Sequence, residues 1–479
     1  MSTSRVEIDL GAIERNYARV ARIVGPLPDR TIGGVGVCAV LKQDAYGMGA
    51  PRIAKRLAAA GAKMFAVYNL DEARTLFESV PEAPVLVLMP VAGVERSDPL
   101  YRAAAAGRLH LVLHDLDQLA GVSELAGRLG LHMPVHVQLD TGLSRGGERA
   151  DGAAKIVERV QASARVRLAG LMTHFAAPGD DPEFTAEQWR QFRAFADRVG
   201  PMLRAGESAG LALHAANTCG AFRSRRFHGS MVRIGEALFG MVGGAVWGAT
   251  GDGLAGMEFA TEAAAMEPAV RWTTTVSHVQ EIPAGWPVGY GSTWRAPRRA
   301  DGRATRIAMI PVGYADGYPR SLGGSVRGGP GVVGFTGRVW DRRSIHGTDT
   351  GSLSGADKPL FAPIVGRVSM DQITVDVTEL PENYIIPGRA GLRLAGTEVE
   401  LVGMDPGAPN HLPALASAGG TIAHELLCRM GPRLDRVYRF TGVAHGAEAG
   451  TRTGAAGKAE AISAGGVDAA QASVPALLL

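Results

Sequence analysis

The sequence has little of what marks several protein classes. It holds three cysteines, Cys38, Cys219 and Cys428, an odd number with no C-x-x-C pair. A disulfide framework or a cysteine-based metal site is therefore not expected, and reduced thiols in the cytoplasm are. No charge sign is in real excess, since 50 Lys and Arg face 47 Asp and Glu for a net of +3. Such balance argues against a nucleic-acid or membrane-surface partner. Long apolar runs are missing as well. The longest uncharged stretch, 238–251, is too short and glycine-rich to cross a bilayer. The first ten residues carry Arg5, Glu7 and Asp9 and lack the apolar centre of a secretory signal.

What is present fits an ordinary globular chain of 479 residues, 46% hydrophobic and 20% charged, divided into two or three domains. Over 1–245, short apolar runs at 37–42, 64–67, 85–89, 109–113, 135–139, 168–174, 211–216 and 231–234 alternate with helix-like segments. Ile13, Tyr17, Val20 and Val24 share one helical face. Thr185 and Gln188 read as a capping box ahead of a core stripe of Trp189, Phe192 and Phe195. Eight strand–helix units of this length predict an α/β fold, a (β/α)8 TIM-type barrel. A doubly wound open sheet has the same local pattern. Residues 246–443 predict a mainly β domain, with runs at 270–281, 305–311, 331–339, 363–368, 373–377 and 398–402 and one helix near 422–430. Residues 340–358 read as a polar surface insertion, and 444–479 as a low-complexity, disordered tail.

Barrels of this kind carry their reactive groups at the carboxyl ends of the strands. Here those ends hold Lys42, the run Asp140-Thr141-Gly142-Leu143-Ser144-Arg145, His174, Asn217 with Thr218, and Arg233 followed by Gly235 and Glu236. A lysine closing an apolar strand is partly desolvated, loses its proton more readily and attacks an aldehyde. Taken singly, each residue is weak evidence, and Lys42 could simply extend into solvent. Together they form a polar ring over an apolar barrel, as at a small-molecule site. The second half adds glycine-flanked tyrosines at Tyr290 and Tyr314, and Met370 with Asp371.

These segments together resemble the alanine racemase family. The resemblance rests on Ala39 to Gly49, Asp140 to Arg145, 173–176 (THFA), Asn217-Thr218, Arg233 to Gly240, Tyr290 to Thr293, Gly313 to Gly317 and Gly366 to Gln372, which occur in family order. It implies a homodimer with shared active sites, pyridoxal 5'-phosphate as cofactor, no metal, and an amino-acid substrate, alanine by default. Lys42 would hold the cofactor as a Schiff base and serve as one acid/base, with Tyr290 from the partner as the other. Tyr46, Thr218, Gly235 and the Glu236 backbone would hold the phosphate, with Asn217 beside them. Arg233 would meet the pyridine nitrogen, with His174 between it and the ring. Arg145 and Met370 would bind the substrate carboxylate, next to Asp371, and Tyr314 would line the entrance. D-Alanine for peptidoglycan would be the product.

Three positions depart from the family pattern. Gln138 stands where many members carry a modified lysine, Pro432 near where several place a phosphate-binding tyrosine, and Glu236 where an aliphatic residue is common. Open alternatives are a racemase of another amino acid such as serine, a decarboxylase on the same barrel, and a non-catalytic pyridoxal-phosphate-binding protein.

Overall fold

The computed structural model describes residues 4–25, 36–89, 93–204, 210–242, 254–324, 331–340, 359–381 and 396–441. The expected tail and residues 341–358 of the expected insertion lie outside this set. The eight apolar runs of the first half pair side by side. Strand β1 is Arg5–Asp9; the eight are β2 (Val37–Val40), β3 (Met64–Val67), β4 (Val85–Val87), β5 (Leu109–Leu113), β6 (Met133–Gln138), β7 (Val166–Met172), β8 (Ala212–His214) and β9 (Val232–Ile234). Their order is β8-β7-β6-β5-β4-β3-β2-β9, parallel at every pairing. A doubly wound sheet would reverse order midway. Here the order runs on, and the Arg233 N–H donates to Ala216 O at 2.9 Å, joining the two ends into a barrel.

Period-two alternation sorts each strand between two cores. Cys38, Val40, Met64, Ala66, Leu86, Val112, Met172 and Met231 cluster in the lumen. Their neighbours, among them Val37, Ala39, Phe65, Val67, Leu111 and Val135, join the core shared with the helices. The first helix, Leu10–Val24, starts on the Asp9 carboxylate, which accepts from Gly11 and Ala12, and buries the expected Ile13, Tyr17, Val20 and Val24. The aromatic stripe lies on Pro182–Val199, with Phe192 and Phe195 buried. Its cap is Asp181, four residues ahead of the expected capping-box Thr185, because Pro182 sits in the first turn where its missing N–H costs nothing. Thr185 and Gln188 are buried in that helix instead, and the Gln188 side chain holds the His174–Ala176 turn.

The second half contains β10 (Val270–Thr275), β11 (His278–Ile282), β12 (Pro287–Val288), β13 (Trp294–Arg295), β14 (Thr305–Ile310), β15 (Val332–Trp340), β16 (Leu360–Pro363), β17 (Ile373–Asp376), β18 (Gly396–Val402) and β19 (Asp435–Arg439). They build a six-stranded sheet, β16-β15-β18-β10-β1-β19, a three-stranded sheet, β11-β14-β17, and the hairpin β12-β13. The run expected at 270–281 breaks after Thr275 into strands of two different sheets. The strand expected at 363–368 ends at Pro363, and the chain turns at Gly366, whose φ is +72°. Helices Leu412–Ala418 and Ala423–Arg429 follow.

The first strand does not enter the barrel. It runs antiparallel to β10 and parallel to β19. A mutual network of charges joins these strands and β18: Glu7 meets Arg5 at 2.7 Å and Arg439 at 2.9 Å, while Arg271 meets Glu398 at 2.7 Å and Glu400 at 2.5 Å. Charges this deep persist because each is matched by the opposite sign.

Candidate active site

A cavity of about 990 Å³ opens at the carboxyl end of the barrel. Lys42, Tyr46, Arg145, His174, Asn217, Thr218, Arg233, Gly235 and Glu236 all line it. The strand alternation explains much of this. Lys42 continues the lumen face of Cys38 and Val40, and His174 that of Met172. Arg233 follows Met231 on the same face.

Lys42 is half-buried, and burial lowers its pKa below the ordinary lysine value, with the nearby Arg145 cation adding to the effect. Behind it, Gln43, Asp44, Ala45 and Tyr46 take φ between 51° and 60°, a left-handed turn of four non-glycine residues. Such a turn costs roughly 1–2 kcal/mol per residue. It is held by Glu72, whose carboxylate accepts from the Gln43 and Tyr68 N–H groups, and by Asp44, which accepts from Ala50. The turn folds Tyr46 back into the cavity wall. Its ring packs edge-on against Phe239, and burial raises its pKa. The Tyr46 hydroxyl rests over Gly235, where any Cβ would come within 2.0 Å of it. The Gly235 N–H donates to Thr218 Oγ1 at 3.3 Å, and Asn217 caps the next turn through Gly220 N–H.

Arg233 is fully buried, and its guanidinium donates to neutral acceptors. They are the carbonyls of Thr173, His214 and Ala215, and the Nδ1 atoms of His214 and His174. Burial pushes its pKa down to about 10 and that of His174 well down. His174 is therefore neutral and Arg233 charged at neutral pH. The Arg145 loop is set by Asp140, which accepts from Gly142 and Ser144, and by Gln138, which donates to Gly146 O at 2.6 Å. An amide at position 138 thus fixes the loop without charge.

Four sequence-predicted residues do not line the cavity: Tyr290, Tyr314, Met370 and Asp371. Tyr290 is 72% exposed, Met370 53% and Tyr314 42%. Arg433 ties two of their loops together, meeting Asp371 and Asp316 at 2.9 Å each. Pro432 is exposed in a turn. The same segment does reach the cavity, through Ile422 and His424. His424 Nδ1 lies 3.1 Å from the Glu236 carboxylate and draws it aside. Sequence reading missed His424, although it stands on the one helix expected in this domain. It also missed His114, Asp115 and Gln118, which close the cavity beside Gln138; the signal was the continuation of β5's lumen face. Among the described residues no cluster of three or more His, Cys, Asp or Glu is placed to hold a metal, and no helix is long and apolar enough to cross a membrane.

A pyridoxal-type group fits these residues. Lys42 offers an amine, the missing side chain of Gly235 lets the Tyr46 hydroxyl rest against its backbone, and Thr218 presents a second hydroxyl beside it. Among the described residues no carboxylate pairs with the Arg233 cation.

Comparison with known proteins agrees. The alanine racemase N-terminal domain matches residues 8–242, and the C-terminal domain matches 269–340 and 343–438. The alanine racemase of Acidiphilium cryptum is 34% identical over 92% of this chain and 99% of its own. That of Halothermothrix orenii is 29% identical over 90% and 96%. The structure of the Bartonella henselae alanine racemase with covalently bound pyridoxal phosphate superposes with a TM-score of 0.67 at 27% identity, covering 92% of this chain and all of that one. The chain belongs to the alanine racemase family.

Proposed function

We propose that the protein interconverts L- and D-alanine with pyridoxal phosphate on Lys42, as a cytoplasmic homodimer that supplies D-alanine for peptidoglycan. The observation that carries this is the half-buried, easily deprotonated Lys42 amine sharing one cavity with Arg145, His174 and Arg233. When bound, the cofactor supplies an electron sink that acidifies the substrate Cα–H. The residues of the chain do the rest. The neutral Lys42 Nζ takes or returns a proton on one face of Cα. The phenol of Tyr290 of the partner subunit does so on the other. Two bases on opposite faces suffice for inversion. The exposure of Tyr290, Tyr314 and Met370, outside their own chain's cavity, supports their delivery to a partner's.

Tyr46, Thr218, Asn217, Gly235 and the Glu236 backbone would hold the phosphate, with His424 as the group that replaces a tyrosine contact. Arg145 and Met370 would bind the substrate carboxylate, beside Asp371, with Tyr314 at the entrance. Arg233 keeps its proton and so leaves the pyridine nitrogen unprotonated.

Two inactive variants, Lys42→Ala and Tyr290→Phe, test the shared site. Each alone is expected to lose D-alanine formation from L-alanine. Mixed and reassembled, half-and-half dimers should regain one intact site, roughly a quarter of full activity for random pairing. Inversion by Lys42→Ala alone, or carbon dioxide release by the native enzyme, would refute the proposal. Faster inversion of L-serine would move the substrate assignment.

A further inference from the structure

Beneath the cavity the barrel lumen holds three buried histidines that the reaction does not use. His110 on β5, His136 on β6 and His214 on β8 stand ring to ring. His214 Nε2 lies 2.9 Å from His136 Nδ1, and His136 Nε2 lies 2.9 Å from His110 Nδ1. The upper end is Arg233, whose NH1 is 2.9 Å from His214 Nδ1.

The direction of every bond in this chain is fixed by its top. An arginine can only donate. His214 Nδ1 must therefore accept, so its proton is on Nε2. That proton is donated to His136 Nδ1, so the proton of His136 is on Nε2 as well. The same step places the His110 proton on Nε2, and the hydrogen bond between His110 and the Gly107 backbone provides its acceptor. No ring can carry two protons without turning an acceptor into a second donor against its neighbour. Burial acts in the same sense. It lowers the pKa of all three rings, that of His110 to about 4, with the positive charges of Arg167 below and Arg233 above adding to the effect for His136.

Three neutral imidazoles so ordered have parallel dipoles, each with its Nδ1 lone pair toward Arg233. Aligned hydrogen bonds in a low dielectric strengthen one another. Arg233 is a buried cation, and a buried charge needs compensation. We propose that His110, His136 and His214 are positioning residues for the racemase site, a one-way imidazole chain that takes the place of a counterion for Arg233 and fixes the plane of its guanidinium. This rests on the reading of the cavity as a racemase site, since Arg233 would meet the cofactor there.

The test is nitrogen NMR on 15N-histidine protein, first without cofactor. All three rings should show the neutral Nε2–H pattern across the range in which free histidine titrates. A charged ring, or the Nδ1–H form at any of the three, overturns the chain. His110→Leu, two rings from Arg233, removes the acceptor of His136. The His136 Nε2–H signal should then move upfield for want of an acceptor, while the His214 tautomer stays set by Arg233. With cofactor added, the absorbance of the bound form should shift and kcat should fall about fivefold with KM nearly unchanged, the effect of one lost buried hydrogen bond. His110→Gln, whose side-chain oxygen can accept, should restore both readouts. An unmoved His136 signal in His110→Leu overturns the proposal; if that variant does not fold, the native spectrum and His110→Gln decide. Native protein that shows the ordered chain but makes no D-alanine would instead refute the racemase reading alone.

Discussion

Replacing Gly235 by alanine should damage the cofactor site through one atom. Gly235 has φ −120° and ψ −71°, so no left-handed backbone demands a glycine there. The demand is space. A Cβ would lie 2.0 Å from Tyr46 Oη and 3.0 Å from Cζ. The hydroxyl would have to retreat by about 1 Å or more, yet its ring is buried and braced against Phe239. Overpacking of this kind costs roughly 1–3 kcal/mol. Tyr46→Phe removes the hydroxyl and, with it, the hydrogen bond proposed to the charged phosphate, worth about 1.5–3 kcal/mol. That corresponds to a rise of roughly ten- to hundredfold in the dissociation constant for pyridoxal phosphate. Gly235→Ala should weaken binding to a similar extent by displacing the same group. In the Tyr46→Phe background the added methyl meets only carbon at the edge of tolerance, so its further penalty should fall below half. The double-mutant cycle, read by absorbance titration and by urea unfolding, should give a coupling of about 1 kcal/mol or more. Penalties that add to within ~0.5 kcal/mol would show that the two residues do not share the phosphate cradle.

Other outcomes follow from the same geometry. Burial disfavours the Lys42 ammonium, so the amine should react with an added aldehyde at lower pH than a free lysine near ~10.4; the stability linked to this group should rise with pH between its lowered folded value and the unfolded one, and a reaction midpoint at or above that of free lysine would contradict it. Arg271→Ala leaves Glu400 buried without its cation and Glu398 with Arg5 alone, and should cost about 3–5 kcal/mol in chemical unfolding, against under ~1 kcal/mol if the network is solvated. Arg433→Ala should free the Tyr314 and Met370 loops and raise the KM for alanine severalfold in steady-state assays, with thermal stability nearly unchanged. Arg233→Glu should protonate the pyridine nitrogen and increase transamination per turnover, measured as pyruvate released; an unchanged partition would remove Arg233 from that role.

The barrel was legible because its strands are buried on both faces and so read as unbroken apolar runs. Lys42, His174 and Arg233 were legible because each lies at the end of such a run, and Thr218 and Arg145 because each follows one within a few residues. The strands β1 and β19, sequences RVEID and DRVYR, escaped notice since they look like polar surface. Their charges are internal to the sheet, and only pairing across strands reveals that Glu7 answers Arg5 and Arg439. His110 and His136 were hidden for the opposite reason: each is a polar residue set between apolar neighbours in its strand, and the partner that satisfies it lies in another strand. Pro432 drew attention as the place of a missing contact. The helix Ala423–Arg429 instead turns His424 inward, a matter of helical phase that spacing alone did not fix.

The seating of β1 carries a consequence for how the molecule is made. Glu7 in this strand bonds to Arg439, 432 positions later. One edge of β1 waits for β10 and the other for β19, while the barrel strands encoded before both can already pair. The six-stranded sheet can therefore be completed only after the barrel strands have been made. Changes in β1 should be felt in a late step of folding rather than in the chemistry of the cavity.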